Sequence, residues 1–339
     1  MPKMRIAEDQ LIDRIRRRIP SSPRGTMRLG IGDDAAVIRS RPGTEWVFSC
    51  DQFVENIHFL TAAQPPEAIG YKALARAVSD LGAMGARPRF FLLSLSLPSG
   101  RTGTWLDRMT RGMGRAARQF GLTLAGGDTA RSLSSNPAVA LNLMVIGEIA
   151  AGHAVGRGGA RPGDALFVSG RLGGSQLGLE LILLGIAQER RWRSLLAPHF
   201  YPKLAIELGC WLAERRLASA MMDISDGLSS DLYRLCQASS VGARIDQERL
   251  PGVAVPAGLR ARGLDGLALA LHGGEDYGLL FTVGKRHLTS IPRVFRGHRI
   301  TRIGEIVAGS GVTALKDGAA SALEPQGWDH FRQTRRRAE

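Results

Sequence analysis

Short apolar runs alternate with helically spaced apolar stripes along most of this 339-residue chain. A charged amphipathic segment from Met1 to Pro20, apolar at Ile6, Leu11, Ile12 and Ile15, predicts a first helix. Trp46 to Asp51 predicts a short buried strand whose C-terminal end delivers Asp51. Ile69, Ala73, Leu74, Ala77, Val78 and Leu81 recur with helical spacing, so a helix is expected from Pro65 to Met84 with Asp80 near its end. Phe90 to Leu97 reads as a strand closed by Pro98-Ser99-Gly100, and Trp105 to Phe120 as an amphipathic helix stopped by Gly121. Leu122 to Ala125 is expected as a short strand running into a Gly126-Gly127-Asp128-Thr129 loop, followed by a strand from Ala138 to Ile149.

Ala150 to Gly163 is rich in glycine and carries Pro162, which marks a linker and divides the chain into domains 1–149 and 150–339. Beyond it the pattern predicts strands at 165–169, 219–224 and 279–283, another beginning at 243–245, and helices at 174–184, 204–215 and 229–239. Strands interleaved with helices predict an α/β (α+β) fold with a mixed sheet. Both halves present strand, glycine and acid motifs, so two related domains are expected.

Composition narrows the partners. A hydrophobic content of 44% suits a globular chain. No apolar run approaches the length of a membrane span, and the first helix lacks a signal peptide's apolar centre, so a cytoplasmic protein without membrane contact is expected. A net charge of +14 raises nucleic acid, an anionic membrane or an anionic small substrate as ligands. Arginines scattered along helices and loops, one compact run at Arg335-Arg336-Arg337 and only 6% aromatic residues argue against a nucleic-acid surface. Cys50, Cys210 and Cys236 form no C-x-x-C pair, which suits free thiols in a reducing compartment and suggests no zinc site.

The chemistry concentrates in acids set beside Gly, Ser or Thr. They are Asp33 and Asp34 after Gly30-Ile31-Gly32, Asp51, Asp80 after Ser79, Asp128 after two glycines, and Asp223 and Asp226 in Asp223-Ile224-Ser225-Asp226-Gly227. Each alone is ordinary turn chemistry. Together, in an acid-poor chain, they point to a multi-metal phosphate site, because Mg²⁺ takes carboxylate oxygens and phosphates take backbone N–H groups. Strand alternation would put Asp223 and Ser225 on one face, with Gly227 turning the chain into a helix whose N-terminus favours anions. His58 read alone is an ordinary loop histidine. The chain shows no Ser-His-Asp arrangement, Walker spacing or protein-kinase signature.

These stretches, with His58-Phe59, Tyr71-Lys72-Ala73-Leu74-Ala75, Ser79-Asp80-Leu81-Gly82-Ala83-Met84-Gly85-Ala86 and Gly273-Gly274-Glu275-Asp276-Tyr277, resemble the thiamine-monophosphate kinase family from about Asp9 to Phe331. The wider superfamily of aminoimidazole ribonucleotide synthetase, selenophosphate synthetase and a hydrogenase maturation protein shares the plan but not all of these motifs. The resemblance implies the two-domain aminoimidazole ribonucleotide synthetase-like fold, with a mixed sheet and helices in each domain. It further implies phosphorylation of thiamine monophosphate to thiamine diphosphate by ATP with several Mg²⁺ ions. The N-terminal domain would bind ATP and metal and would pair its sheet with a second copy in a homodimer; the C-terminal domain would complete the site.

Carried over by motif, Asp34, Ser49, Asp51, Asp80, Asp128, Asp223 and Asp226 would form the Mg²⁺ shell. Cys50 stands where threonine is usual, so only its backbone carbonyl could join that shell. Gly127, Asp128, Arg157 and Ser225 would meet ATP; His58, Glu275 and Trp328 would meet thiamine monophosphate, the tryptophan by ring stacking. Gln52, Ala77 and Gly278 also depart from the family pattern. Phosphoryl transfer asks for positioning and charge neutralisation, and the attacking phosphate oxygen is already ionised at neutral pH, so no catalytic nucleophile or general base is assigned. The nearest alternative is a superfamily member acting on another phosphate or carboxylate; the remote one is a basic nucleic-acid-binding protein.

Overall fold

The computed structural model describes residues 8–22, 25–29, 36–132 and 138–328. In the N-terminal part the order is α1 (Glu8–Arg18), β1 (Met27–Leu29), β2 (Val37–Ile38), β3 (Thr44–Val54), α2 (Pro66–Ala83), β4 (Arg87–Leu97), α3 (Thr104–Phe120), β5 (Thr123–Arg131) and β6 (Ala140–Ala150). Pro66 starts α2, where its missing N–H costs nothing, and Gly121 at φ 74 ends α3 by donating to the Ala117 carbonyl. Strands pair in the order β3-β6-β4-β5, antiparallel except for the parallel pair β4 and β5.

The C-terminal part runs β7 (Ala165–Ser169), α4 (Gly174–Leu183), α5 (Ala197–Phe200), α6 (Ile206–Glu214), β8 (Ala218–Asp223), α7 (Leu228–Ser239), β9 (Gly242–Asp246), α8 (Ala257–Arg260), α9 (Gly266–His272), β10 (Leu279–Val283), β11 (Val294–Phe295), β12 (His298–Val307), β13 (Val312–Lys316) and β14 (Ala319–Ala322). Its sheet has the order β14-β13-β9-β12-β7-β10-β8, mixed because β13 and β9 are parallel. Among the described residues the chain is therefore two mixed sheets with helices and a separate antiparallel pair of β1 and β2. No helix among the described residues is long and apolar enough to cross a membrane.

Helix α2 is the shared element. It packs on β3, β4 and β6 of the first sheet, on α3, and on α6 and β8 of the second domain, so most of its side chains are buried. One continuous core joins Leu74, Val78 and Leu81 of α2 to Leu208 and Leu212 of α6 and Phe281 of β10. Helices α2 and α3 meet backbone to backbone: a methyl added at Gly112 would stand 1.9 Å from the Glu67 carbonyl oxygen.

One expected loop is a strand. Gly126-Gly127-Asp128-Thr129 lies inside β5, where pairing with β4 continues from Leu92 opposite Gly126 to Leu97 opposite Arg131. The glycines that read as a turn serve close approach instead, since a side chain at Gly127 would collide with the Leu93 carbonyl oxygen, 2.0 Å from its first carbon.

Candidate active site

Polar residues interrupt α2 at Lys72, Arg76, Ser79 and Asp80, a spacing of four, three and one that keeps them on one side of the helix. That side meets the ends of β3 and β8. From β3, Ser49 and Asp51 face inward together: Ser49 donates a short hydrogen bond to the Asp80 carboxylate, and Asp51 pairs with Arg76 at 3.5 Å. Arg76 also lies over the Phe53 ring, 5.5 Å from its centroid. From β8 comes Asp223, buried, accepting from Ser79 Oγ at 2.7 Å.

The three carboxylates feel one another. Burial and the charge of Asp80, with smaller contributions from Asp231 and Asp51, push Asp223 up to about 8. Burial likewise raises Asp80, against the Ser49 hydrogen bond and with help from Asp51; Arg157 and Arg76 oppose it. Three facing carboxylates with too little positive charge between them are a donor set that fits a hard divalent cation. No group of three or more His, Cys, Asp or Glu side chains among the described residues is gathered closely enough to hold a metal by itself.

Asp231 secures the loop after β8. Its Oδ2 accepts from the backbone N–H groups of Ser225, Asp226 and Gly227 at 3.0, 3.1 and 3.1 Å. Arg234 bridges Asp231, at 2.8 Å, to the Asp226 carboxylate. Burial and Asp226 push Asp231 up to about 6. Ser225 is off the strand, which ends at Asp223, so the two do not share a strand face as alternation suggested. The loop carries two further expected residues: the Ser225 carbonyl accepts from Glu275 N at 2.7 Å, and the Asp226 carbonyl from Trp328 N at 3.0 Å. Trp328 keeps 45% of its surface exposed.

Glu275 belongs to a strained stretch in which Glu275 and Tyr277 both have left-handed backbones, at φ 63 and φ 50. Between them Asp276 turns away and accepts from Gly173 N and Ser175 N at the start of α4, at 2.6 and 3.2 Å. The Glu275 carboxylate accepts from Lys72 Nζ at 2.6 Å. His58 is half-buried beside Phe53, its Nδ1 accepting from Val54 N at 3.0 Å. Arg157 is exposed in the segment between the two sheets.

Two expected metal residues, and the Cys50 side chain, stand apart. The Cys50 thiol projects from the outer face of the first sheet, 3.0 Å from Asn142 Oδ1, opposite in sense to Ser49 and Asp51. Asp128 lies on that outer face too, in the row Gln52, Asn142, Ser94, Asp128. Because β3 and β5 are the two edges of the sheet, about 14 Å of backbone separates Asp128 from β3. Within one chain Asp128 and Asp51 do not share an ion. Asp226 is engaged by Arg234 rather than turned toward Asp223. Asp33 and Asp34 lie outside the described residues.

Residues 32–149 match the family described as AIR synthase related protein, N-terminal domain, and residues 161–317 match its C-terminal domain. The chain is 36% identical over 335 residues to the thiamine-monophosphate kinase of Salmonella typhimurium, covering 97% of this chain and 99% of that one. It is 34% identical over 313 residues to the Bacillus subtilis enzyme of the same name, covering 90% and 94%. The chain belongs to the thiamine-monophosphate kinase family.

Solved members share the fold. The thiamine-monophosphate kinase of Stenotrophomonas maltophilia superposes with a TM-score of 0.79 at 35% identity, over 93% of this chain and 98% of that one. A structure described as AaThiL complexed with AMPPCP and TMP gives a TM-score of 0.74 at 34% identity, over 98% and 100%. Against that family background, Lys72, Arg76, Ser79, Asp231 and Arg234 are the site neighbours that motif reading passed over. The first three had a readable signal in the polar stripe along an otherwise Ala- and Leu-rich helix; the last two needed the loop geometry.

Proposed function

We propose that this chain carries out the thiamine-monophosphate kinase reaction in the cleft where β3, α2 and β8 bring Asp51, Asp80 and Asp223 together. The convergence of those three carboxylates from both domains is the observation that carries the reading. An oxygen of the thiamine monophosphate phosphate attacks the γ-phosphorus of ATP, the bond to the β-phosphate oxygen breaks, and ADP leaves. The chain's part is to hold two polyanions in line and to balance their charge. Asp51, Asp80 and Asp223 would hold Mg²⁺, which supplies charge neutralisation between the phosphates. Asp34 joins that set by motif.

Arg157, near enough to Asp80 to act on its charge, stands where it can meet ATP phosphates, and Ser225 offers its hydroxyl from the pinned loop. Glu275 and Trp328, tied to the same loop, form the thiamine end, with His58 on the β3 side. In this division of labour residues 1–149 bind ATP and metal and 150–339 complete the substrate site.

A homodimer follows from the same reading. Phe48 and Met144 stand 61% and 39% exposed on the outer face of the first sheet, beside Trp46 and Leu92. That face also bears Asp128, so a second copy seated on it would bring its carboxylate into a shared site.

A coupled assay with Mg-ATP, offering thiamine monophosphate and free thiamine separately, tests the reaction. ADP release with the monophosphate alone is expected. Turnover of thiamine alone, or of neither compound, would overturn the assignment.

A further inference from the structure

Lys72 is 1% exposed, yet it carries an ammonium group in the middle of α2. Burying a charge is costly unless it is paired, and a buried pair is often no more stabilising than apolar side chains of similar size. Stability therefore gives no reason for a lysine here. Its surroundings give another.

The ammonium stands between two groups of the second domain. On one side is the Glu275 carboxylate at 2.6 Å; on the other is His199 of α5, whose Nδ1 and Nε2 lie 3.3 and 3.4 Å from Nζ. Near-equal distances to both ring nitrogens put the ammonium over the face of the imidazole rather than in its plane. The ring itself is fixed: Gln64 Nε2 donates to Nε2 at 3.0 Å, which leaves the Nδ1 proton for Ser175 Oγ at 3.2 Å. Burial and the lysine charge hold His199 down to about 3, so the ring stays neutral and offers its π face to the cation.

We propose that Lys72 is a positioning residue for Glu275, clamped between the His199 ring and the carboxylate so that it fixes where the carboxylate stands and how tightly thiamine monophosphate is held. The ion pair takes one carboxylate oxygen and half of the charge, leaving the other oxygen to accept from a polar group of the substrate. Glu275 sits on a left-handed backbone whose own preference would not hold it there. Ser175 extends the arrangement, since its N–H is taken by Asp276 and its hydroxyl by His199, which links the fixed ring to the same Glu275-Asp276 stretch.

The inference rests on the reading that Glu275 meets the substrate, and three variants separate the two. Glu275→Gln tests that reading by itself: an unchanged KM for thiamine monophosphate overturns it and the inference with it. If Glu275→Gln raises this KM, Lys72→Met is expected to raise it too, by about tenfold or more, as loss of a charge-assisted hydrogen bond implies, with KM for ATP unchanged. The double variant Lys72→Met/Glu275→Gln should be no worse than Glu275→Gln alone, because the lysine acts through the glutamate. A normal KM in Lys72→Met, equal losses for both substrates, or additive effects in the double variant would overturn the inference and reduce Lys72 to a structural tie. If Lys72→Met does not fold, Lys72→Gln, which keeps a donor without the charge, carries the same comparison.

Discussion

Ser79 of α2 donates to Asp223 of β8 across 2.7 Å, and the two belong to different domains. A buried carboxylate that its neighbours push toward protonation is thus held by a hydroxyl from the far side of the cleft. Ser79→Ala should cost about 1–2 kcal/mol in urea unfolding and lower turnover, since it frees an acid that must stay in register with Asp80. Normal activity in this variant would show that the bond does not set the site.

Asp51→Asn and Asp223→Asn should each lower kcat by about a hundredfold or more while leaving the unfolding midpoint nearly unchanged. Each removes a charge from a cluster already short of cations, so the fold loses little. Steady-state kinetics beside thermal melts makes the check, and near-normal rates would remove these residues from the metal set.

His199 makes the protein sensitive to acid. Its folded-state pKa, near 3, lies below the unfolded value of 6.5. The unfolded chain therefore gains a proton that the folded one refuses, and the stability carried by the neutral ring is complete above pH 6.5 and lost as pH falls toward 3. The slope is up to about 1.4 kcal/mol per pH unit. Urea titrations at pH 6.5, 5.5 and 4.5 should show a flatter dependence in His199→Gln than in the parent chain.

Gly112→Ala should destabilise the chain by about 2–3 kcal/mol, because the added methyl meets the Glu67 carbonyl and α3 must move off α2. A loss of that size without a change in KM would assign the contact to folding alone; a stability within error of the parent would contradict the helix packing.

In the proposed homodimer, Phe48→Glu should give monomer in sedimentation experiments and depress activity with it, since the outer sheet face is both the apolar patch and the site of Asp128. Full activity in a demonstrated monomer would separate assembly from catalysis.

The sequence made the acid motifs and most elements legible, because a strand end, a helix stripe and a glycine stop are local. Asp80 and Asp223 lie near a helix end and at a strand end as expected, whereas Asp51 sits inside β3, which runs on past it to Val54. What local reading could not supply was facing. Asp128 reads like Asp51 in one dimension, yet strand order and register put it on the opposite edge and opposite face. Asp226 reads as a twin of Asp223 until Arg234, eight residues on, claims it. The pair of Lys72 and Glu275 spans 203 residues, and nothing in either neighbourhood announces the other. The same is true of His199, which no periodicity marks.

The left-handed backbones at Glu275 and Tyr277 have an outcome for anyone who would evolve this chain for heat resistance. Glycine or asparagine at either position would relax the loop and be enriched by selection for melting temperature alone. On the proposed role of Glu275, such a screen would erode the thiamine end of the cleft first, producing hardier proteins that still bind nucleotide and no longer hold their second substrate. Selection cycles that alternate heat with growth that depends on making the phosphorylated product would keep both side chains in place.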